Sequence, residues 1–483
     1  MYRTNDTALK NLFRSTRFTF QIILLNSFRP ITIKHTFILT DQPVASPGTT
    51  ESLKRTIGVF GLACAIINIT IGTGIFILPA LVAEHLGAAA IICFLICGLL
   101  IFLIGLCFAE VGSKVTGSGG TYAYIEAAFG PWMGFLANNI FWLSCCLSDA
   151  AVANGLSKTL GYFYPPLDTT LRPLFFLLLI GIFTWINIRG SKGGVNLVIA
   201  ATIAKIVPLV LLVVFGISHI SVANLNWTSS FTFGSLSSAT LIIFYAFIGI
   251  ENAVANSGEF KNPSRVVPLG ILSGLFFVLL LYIAIQLVTQ GILGTQLSLY
   301  KDAPLAEVSK RLFAYTGIIL ITVGAAVSML GSLSGAILAI PRVLFAGSKN
   351  GIFPEFLGDV HNKYITPHKA IIFYATIDYL FAVFGAFKQL VILSTAFVLL
   401  IYLGVVLASI KLRYTGPQQS ENTFTTPGGL TVPILATITI MWLLYSLTNP
   451  EIIGMIIALA ALSTIYLLMK LYKNQTKRKL GTS

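Results

Sequence analysis

The chain has 483 residues, of which 56% are hydrophobic and 10% charged, with a net charge of +14. Soluble domains carry roughly a quarter of their residues as charges, so a single soluble enzyme domain is excluded. The basic residues are spread thinly between apolar runs, which argues against a nucleic-acid-binding surface and for a polytopic membrane protein with basic cytoplasmic loops.

Residues 1–53 are basic, poor in acid, and hold one apolar patch, Gln21–Leu25, too short to span a bilayer. They lack a signal-peptide cleavage pattern. They read as a flexible or surface-lying cytoplasmic arm, with a misassigned start as the alternative. Residues 54–472 then carry twelve apolar runs: 57–82, 88–112, 132–160, 173–189, 195–219, 237–258, 267–291, 313–346, 368–387, 389–410, 431–448 and 452–472. Each is near the roughly 20 residues that cross the hydrocarbon as a helix. The run at 313–346 is too long for one straight span, so its end is expected to emerge from the membrane. A β-barrel would instead show alternating segments of about ten residues. The expectation is an all-α integral membrane protein of twelve transmembrane helices, followed by a cytoplasmic tail at 473–483.

Orientation follows from Lys and Arg. With the N-terminus inside, the cytoplasmic segments hold 24 of the 31 basic residues and the outer segments six, Lys158, Arg172, Lys301, Lys310, Arg311 and Lys388. That bias places both termini in the cytoplasm. Lys205 is left within a span. The six cysteines (Cys64, Cys93, Cys97, Cys107, Cys145 and Cys146) all lie in apolar runs, where a thiol packs as a small hydrophobe. Neither a disulfide framework nor a CxxC metal site is expected. His85, His219, His361 and His368 fall at span ends or in loops and form no ligand cluster, so no metal or other cofactor is expected.

Two runs contain breaks. The first reads Ile71-Gly72-Thr73-Gly74-Ile75-Phe76 with Pro79 behind, and the sixth reads Phe247-Ile248-Gly249-Ile250-Glu251-Asn252. Mid-membrane glycines serve either close helix packing or an unwound segment whose freed N–H and C=O groups bind a ligand. The second break favours unwinding, because it opens a second group of five spans just as the first opens the first group. Five is odd, so the second group (237–410) inserts upside down relative to the first (57–219), and 431–472 adds two helices. Paired interrupted helices in corresponding halves point to a transporter's binding site.

Several stretches carry a resemblance. Gly72-Thr73-Gly74-Ile75-Phe76 with Pro79 is joined by Ala109-Glu110-Val111-Gly112, by Gly117-Ser118-Gly119-Gly120-Thr121-Tyr122 and by Phe129-Gly130-Pro131. Gly258-Glu259-Phe260-Lys261-Asn262-Pro263-Ser264-Arg265 follows, then Pro341-Arg342 through Asn350-Gly351-Ile352-Phe353-Pro354. In this order over about residues 54–470, the chain resembles the amino acid–polyamine–organocation (APC) transporters. The resemblance implies the leucine-transporter fold, a 5+5 inverted repeat plus two helices, with helices 1 and 6 broken. It also implies secondary transport of amino acids across the plasma membrane, independent of sodium and either proton-coupled or by exchange. The runner-up is a polyamine or cationic amino acid antiporter.

The implied substrate contacts are Ile71, Gly72, Thr73, Gly74, Phe247, Gly249 and Ile250. The α-carboxylate would meet N–H groups at Gly72, Thr73 and Gly74, helped by the positive helix end. The amino group would meet carbonyls of Ile71, Phe247 and Ile250, with the Phe247 ring as a gate. Ionisable groups at membrane depth are candidates by default. Lys205 either snorkels to the cytoplasmic interface or, as in sodium-independent relatives, stands where a sodium ion would bind and carries the coupling proton. Glu251 either pins the unwound backbone or relays protons. Asp149 is a selectivity candidate, either hydrogen-bonded within the protein or a counter-charge for a cationic substrate. Asp378 reads as structural. Glu110, Glu259, Lys261 and Arg265 are inner-gate candidates, with solvated loop charges as the alternative. A membrane enzyme would need a motif such as HExxH, an ATP-driven pump a GxxxxGK[ST] loop, and a channel repeated filter loops; the sequence holds none of these. The partners expected are amino acids, protons and membrane lipid around a single subunit.

Overall fold

The protein is described here by a computed structural model, in which residues 57–115, 120–190, 194–227, 231–254, 260–349, 353–415 and 423–479 are defined, with side chains omitted for 194–202 and 472–479. The basic arm, residues 1–56, lies outside them. Among the described residues the elements are helices, and Ile57 and Phe260 form an isolated parallel bridge. Helices are what apolar segments in lipid must form, since each satisfies its backbone hydrogen bonds within itself.

In chain order the helices are α1 (Val59–Thr70), α2 (Gly74–Leu86), α3 (Ile91–Lys114), α4 (Gly120–Phe129), α5 (Pro131–Gly161), α6 (Arg172–Arg189), α7 (Gly194–Gly216), α8 (Phe233–Phe244), α9 (Ile250–Val254), α10 (Pro263–Leu293), α11 (Pro304–Lys349), α12 (His368–Phe384), α13 (Phe387–Thr415), α14 (Thr431–Tyr445) and α15 (Asn449–Lys479). Eight helical stretches among the described residues are long and apolar enough to cross a membrane. Their length and apolarity are those of the membrane-crossing elements of an integral membrane protein. α11 leaves helical geometry at Ala314 (φ +55°, ψ −140°), which sets off a short leading segment, 304–313, while the long run at 313–346 lies in the helix beyond it, which continues to Lys349.

Small residues bring the central helices together. Gly270 and Gly274 stand one turn apart on α10. A Cβ at the first would lie 2.8 Å from the Leu62 side chain, and one at the second 3.1 Å from the Ala63 carbonyl, both on α1. Gly105 on α3 meets Ile271 of α10 in the same way, at 3.0 Å. In lipid such close approach, rather than a hydrophobic driving force, holds helices side by side. The centre is α5, whose most apolar window is 72% buried. The corresponding window of α15 is 0% buried, so α15 stands at the lipid-facing edge, touching α5 through the Phe135 and Tyr466 rings at 5.1 Å.

Candidate substrate site

α1 and α2 would be one helix but for Ile71–Thr73. Ile71 turns out of helical geometry (φ −76°, ψ 84°), and Gly72 and Gly74 weaken the helix by roughly 1 kcal/mol each relative to alanine. A helix end leaves carbonyls without main-chain partners. Here three other helices answer them. Lys205 of α7, 3% exposed, donates its ammonium to the Asn68 carbonyl. The Tyr282 hydroxyl of α10 lies 3.0 Å from the Thr70 carbonyl, which also accepts the Gly72 N–H at 2.9 Å, and Ser328 of α11 donates to the Ile71 carbonyl at 3.3 Å. A cation at the C-terminal end of α1 also suits the negative pole of the helix dipole.

The second interruption follows α8. A single tight turn, Tyr245–Phe247, leads to extended Ile248 (φ −68°, ψ 142°). Gly249 has φ +144°, a conformation open to glycine and strained for other residues. Its N–H donates to the Glu251 carboxylate at 3.2 Å, and the same carboxylate accepts the Tyr402 hydroxyl and, at 3.1 Å, the Asn252 side-chain amide. Glu251 thus folds back over the interruption and satisfies the N–H that the break exposes.

The two interruptions touch. A Cβ on Gly74 would lie 2.9 Å from both Cα and Cβ of Ala246, and one on Gly249 would lie 2.9 Å from Ile69 and 3.2 Å from the Thr70 hydroxyl. Each break therefore packs its glycine against the other chain segment, so close packing and non-helical geometry coexist. Gly72 differs: nothing lies within 4 Å of a Cβ there. The hydroxyls of Thr70 and Thr73 are buried at the break and have no hydrogen-bond partner among the described residues. The Phe247 ring is fully buried and lies edge-on to Tyr282, centroids 5.2 Å apart at 70°.

A cavity of about 560 Å³ runs along the start of α1 and the end of α9, lined by Gly58, Phe60, Ala65, Ile69, Asn252 and Ala253 among others. It stops beside the breaks. Ile71, Thr73, Gly74, Phe247, Gly249 and Ile250 are buried and do not line it, and Gly72 keeps partial exposure.

The remaining charges separate from this centre. The Asp149 carboxylate accepts the Tyr374 hydroxyl of α12 at 2.8 Å. Ser148, one residue earlier, turns the other way and meets the Tyr245 hydroxyl at 3.1 Å. Asp378 is fully buried on α12, one turn beyond Tyr374, and among the described residues neither of its oxygens has a hydrogen-bond partner. Glu110 is bound by Arg413 of α13 in a two-pronged pair, Nε at 2.7 Å, by Lys114 at 2.9 Å and by the Thr426 N–H at 3.1 Å. Lys261 and Arg265 are exposed and, among the described residues, form no ion pair with Glu110. Glu259 lies outside the described residues. At the far end of α2, Glu84 pairs with Lys301 at 2.7 Å, and Lys158 of α5 pairs with Asp302 at 2.6 Å.

Sequence reasoning did not single out Tyr282, Ser328, Tyr374, Tyr402 or Arg413. Each is one polar residue on a long apolar helix, without a spacing motif. For the four hydroxyl-bearing residues the available signal was depth, since a polar group inside the membrane must find a partner; Arg413, in the last turn of α13, carried no such signal.

A family model described as Amino acid permease matches residues 57–470. The serine/threonine exchanger SteT of Bacillus subtilis (strain 168) is 31% identical over 336 residues, 67% of this chain and 75% of the relative. The methylthioribose transporter of the same organism is 29% identical over 454 residues, 88% of this chain and 96% of the relative. Its branched-chain amino acid permease BcaP is 28% identical over 450 residues, 88% of this chain and 95% of the relative.

Proposed function

The chain belongs to the amino acid permease family, within the amino acid–polyamine–organocation superfamily, and from that membership we propose that it carries amino acids across the plasma membrane by alternating access around its two interrupted helices. The proposed architecture has twelve crossings in a 5+5 inverted repeat plus two helices, with both termini cytoplasmic and a single subunit as the working unit. The observation that carries the reading is the meeting of the two interruptions at Gly74 with Ala246 and at Gly249 with Thr70. One small molecule can then contact both broken chains. The stretch leading into α2 offers N–H groups of Thr73 and Gly74 to a carboxylate, and that of Gly72 once it leaves the Thr70 carbonyl it meets at 2.9 Å, and carbonyls of Ile71, Phe247 and Ile250 suit an ammonium. Phe247 acts as the gate.

Transport is sodium-independent in this reading. The Lys205 ammonium reaches a carbonyl at the end of α1 and does there what a bound sodium ion would do. Lys205 and Glu251 are the groups through which a proton couples to the cycle, in proton symport or in exchange. With the N-terminus inside, the 560 Å³ cavity beside α1 opens to the cytoplasm, and the ion pairs Lys301–Glu84 and Lys158–Asp302 close the outer end. This is an inward-facing state whose central site is shut. Asp149 is engaged by Tyr374, and the Glu251 carboxylate by Gly249, Asn252 and Tyr402, so neither is left as a counter-charge for a substrate side chain, which favours neutral amino acids. The serine/threonine exchanger and the branched-chain amino acid permease among the relatives support the same class.

The test is flux in proteoliposomes of the purified protein. Saturable uptake of serine, threonine or a branched-chain amino acid, accelerated by the same amino acid inside, is the expected result. Non-saturating conductance, or chemical conversion of the amino acid, overturns it.

A further inference from the structure

Tyr282 lies on α10, outside every motif in the sequence, with its side chain fully buried. Its hydroxyl oxygen is 3.0 Å from the Thr70 carbonyl, at the end of α1, and 3.0 Å from the Ala246 carbonyl, in the turn after α8. One side chain therefore reaches both interruptions. A phenol carries a single hydrogen, so it serves one carbonyl fully at any moment. The two acceptors are not equivalent. The Thr70 carbonyl also accepts the Gly72 N–H at 2.9 Å, whereas Tyr282 is the donor to Ala246 among the described residues. The hydrogen consequently favours Ala246 while remaining within reach of Thr70. The ring adds a second constraint, because the Phe247 ring rests edge-on against it at 5.2 Å.

We propose that Tyr282 is a positioning residue for the substrate: its one hydroxyl hydrogen, shared between the Thr70 and Ala246 carbonyls, holds the two interruptions at the spacing at which both can touch one molecule, and its ring sets the angle of Phe247. The inference rests on the central site proposed above. Its physical basis is preorganisation. Groups that must meet a ligand from two separate chains bind it more weakly when their separation is free to vary. A hydroxyl between two acceptors suits a transporter, because the hydrogen can follow whichever segment moves without leaving a fixed bond to break. The role is exerted through the backbone, so the tyrosine itself need not touch substrate.

The experiment measures uptake kinetics in proteoliposomes for wild type, Tyr282→Phe and Tyr282→4-aminophenylalanine, using the amino acid that wild type transports best. Tyr282→Phe keeps the ring and removes the hydrogen. It should raise KM about tenfold, the worth of one buried hydrogen bond, with the maximal rate changed less than twofold to threefold. The aniline variant restores a donor and should bring KM back to within about threefold of wild type, which a role in bulk packing does not predict. If Tyr282→Phe fails to insert, the aniline variant still decides the matter, since wild-type KM in that variant requires that a donor suffices. An unchanged KM in Tyr282→Phe, or an aniline variant no better than Tyr282→Phe, overturns the proposal. A wild type that takes up none of the twenty amino acids overturns the transport reading instead, so the two failures are distinct.

Discussion

The ammonium of Lys205 is hydrogen-bonded to the main-chain carbonyl of Asn68, in the last turn of α1. A fixed cation thus sits on a helix C-terminus that faces the interior, joining α7 to the first interruption. Uptake is expected to persist when external sodium is replaced by choline at constant pH. Lys205→Ala should abolish uptake, because the buried hydrogen bond from its ammonium to Asn68, worth about 1–3 kcal/mol, is lost and with it the anchor of the end of α1 to α7. Strict dependence of wild-type uptake on sodium would sink the role given to Lys205.

The glycines of the first interruption should behave unequally. A Cβ on Gly74 would lie 2.9 Å from the Ala246 backbone, whereas one on Gly72 meets nothing within 4 Å. Gly74→Val should therefore force the two interruptions apart and abolish binding while the protein still inserts. Gly72→Ala should retain folding and lose affinity only as far as its methyl crowds the ligand. Ligand-induced thermal shifts of the two purified variants decide the matter. Equal affinity in Gly74→Val and wild type would return Gly74 to a role in packing alone.

The all-helical, membrane-spanning character was legible because lipid imposes a length on apolar segments, and Gly72, Gly74 and Gly249 were conspicuous as glycines within apolar runs. The partners of the interruptions were not. Tyr282, Ser328 and Tyr402 reach the breaks from α10, α11 and α13, and nothing in their local sequence marks the distant carbonyl or carboxylate that each serves. Asp149 shows the same limit from the other side. Its depth in α5 was readable, but which neighbour it faces depends on helix rotation, and rotation is set by packing. For Glu110 the sequence suggested Lys261 and Arg265, nearby in the order of motifs. Among the described residues its partners are Lys114, one turn away, and Arg413, 303 residues on.

Glu110 is fully buried, and its two-pronged pair with Arg413 fastens the end of α3 to the end of α13. Removing one member of a buried pair strands the other charge, at a cost of about 3–5 kcal/mol. Glu110→Gln and Arg413→Met should each lower the Tm markedly. The double variant should be more stable than the sum of the two losses predicts, because the Glu110–Arg413 pair is then removed from both sides and only Lys114 loses its partner. Additive losses in this cycle would mean that the two residues stabilise the protein independently.

The Asp149 carboxylate accepts the Tyr374 hydroxyl at 2.8 Å, directed to α12 rather than to the interruptions. If it served as counter-charge to a cationic substrate, it would have to turn through the interior and abandon that bond. Arginine, lysine and polyamines should accordingly compete poorly with a neutral amino acid, and to the same degree in wild type and Asp149→Asn. The variant should instead lose stability, since Asn in place of Asp exchanges a charge-assisted or proton-sharing contact with Tyr374 for an ordinary amide one. Tyr374→Phe should produce a similar loss, and combining the two should add little, as expected for residues whose effects run through one bond. The measurement is a competition series against labelled neutral substrate, alongside Tm values for the three variants. Strong inhibition by arginine in wild type that disappears in Asp149→Asn would show that the carboxylate does face the substrate, and would replace the neutral class by a cationic one.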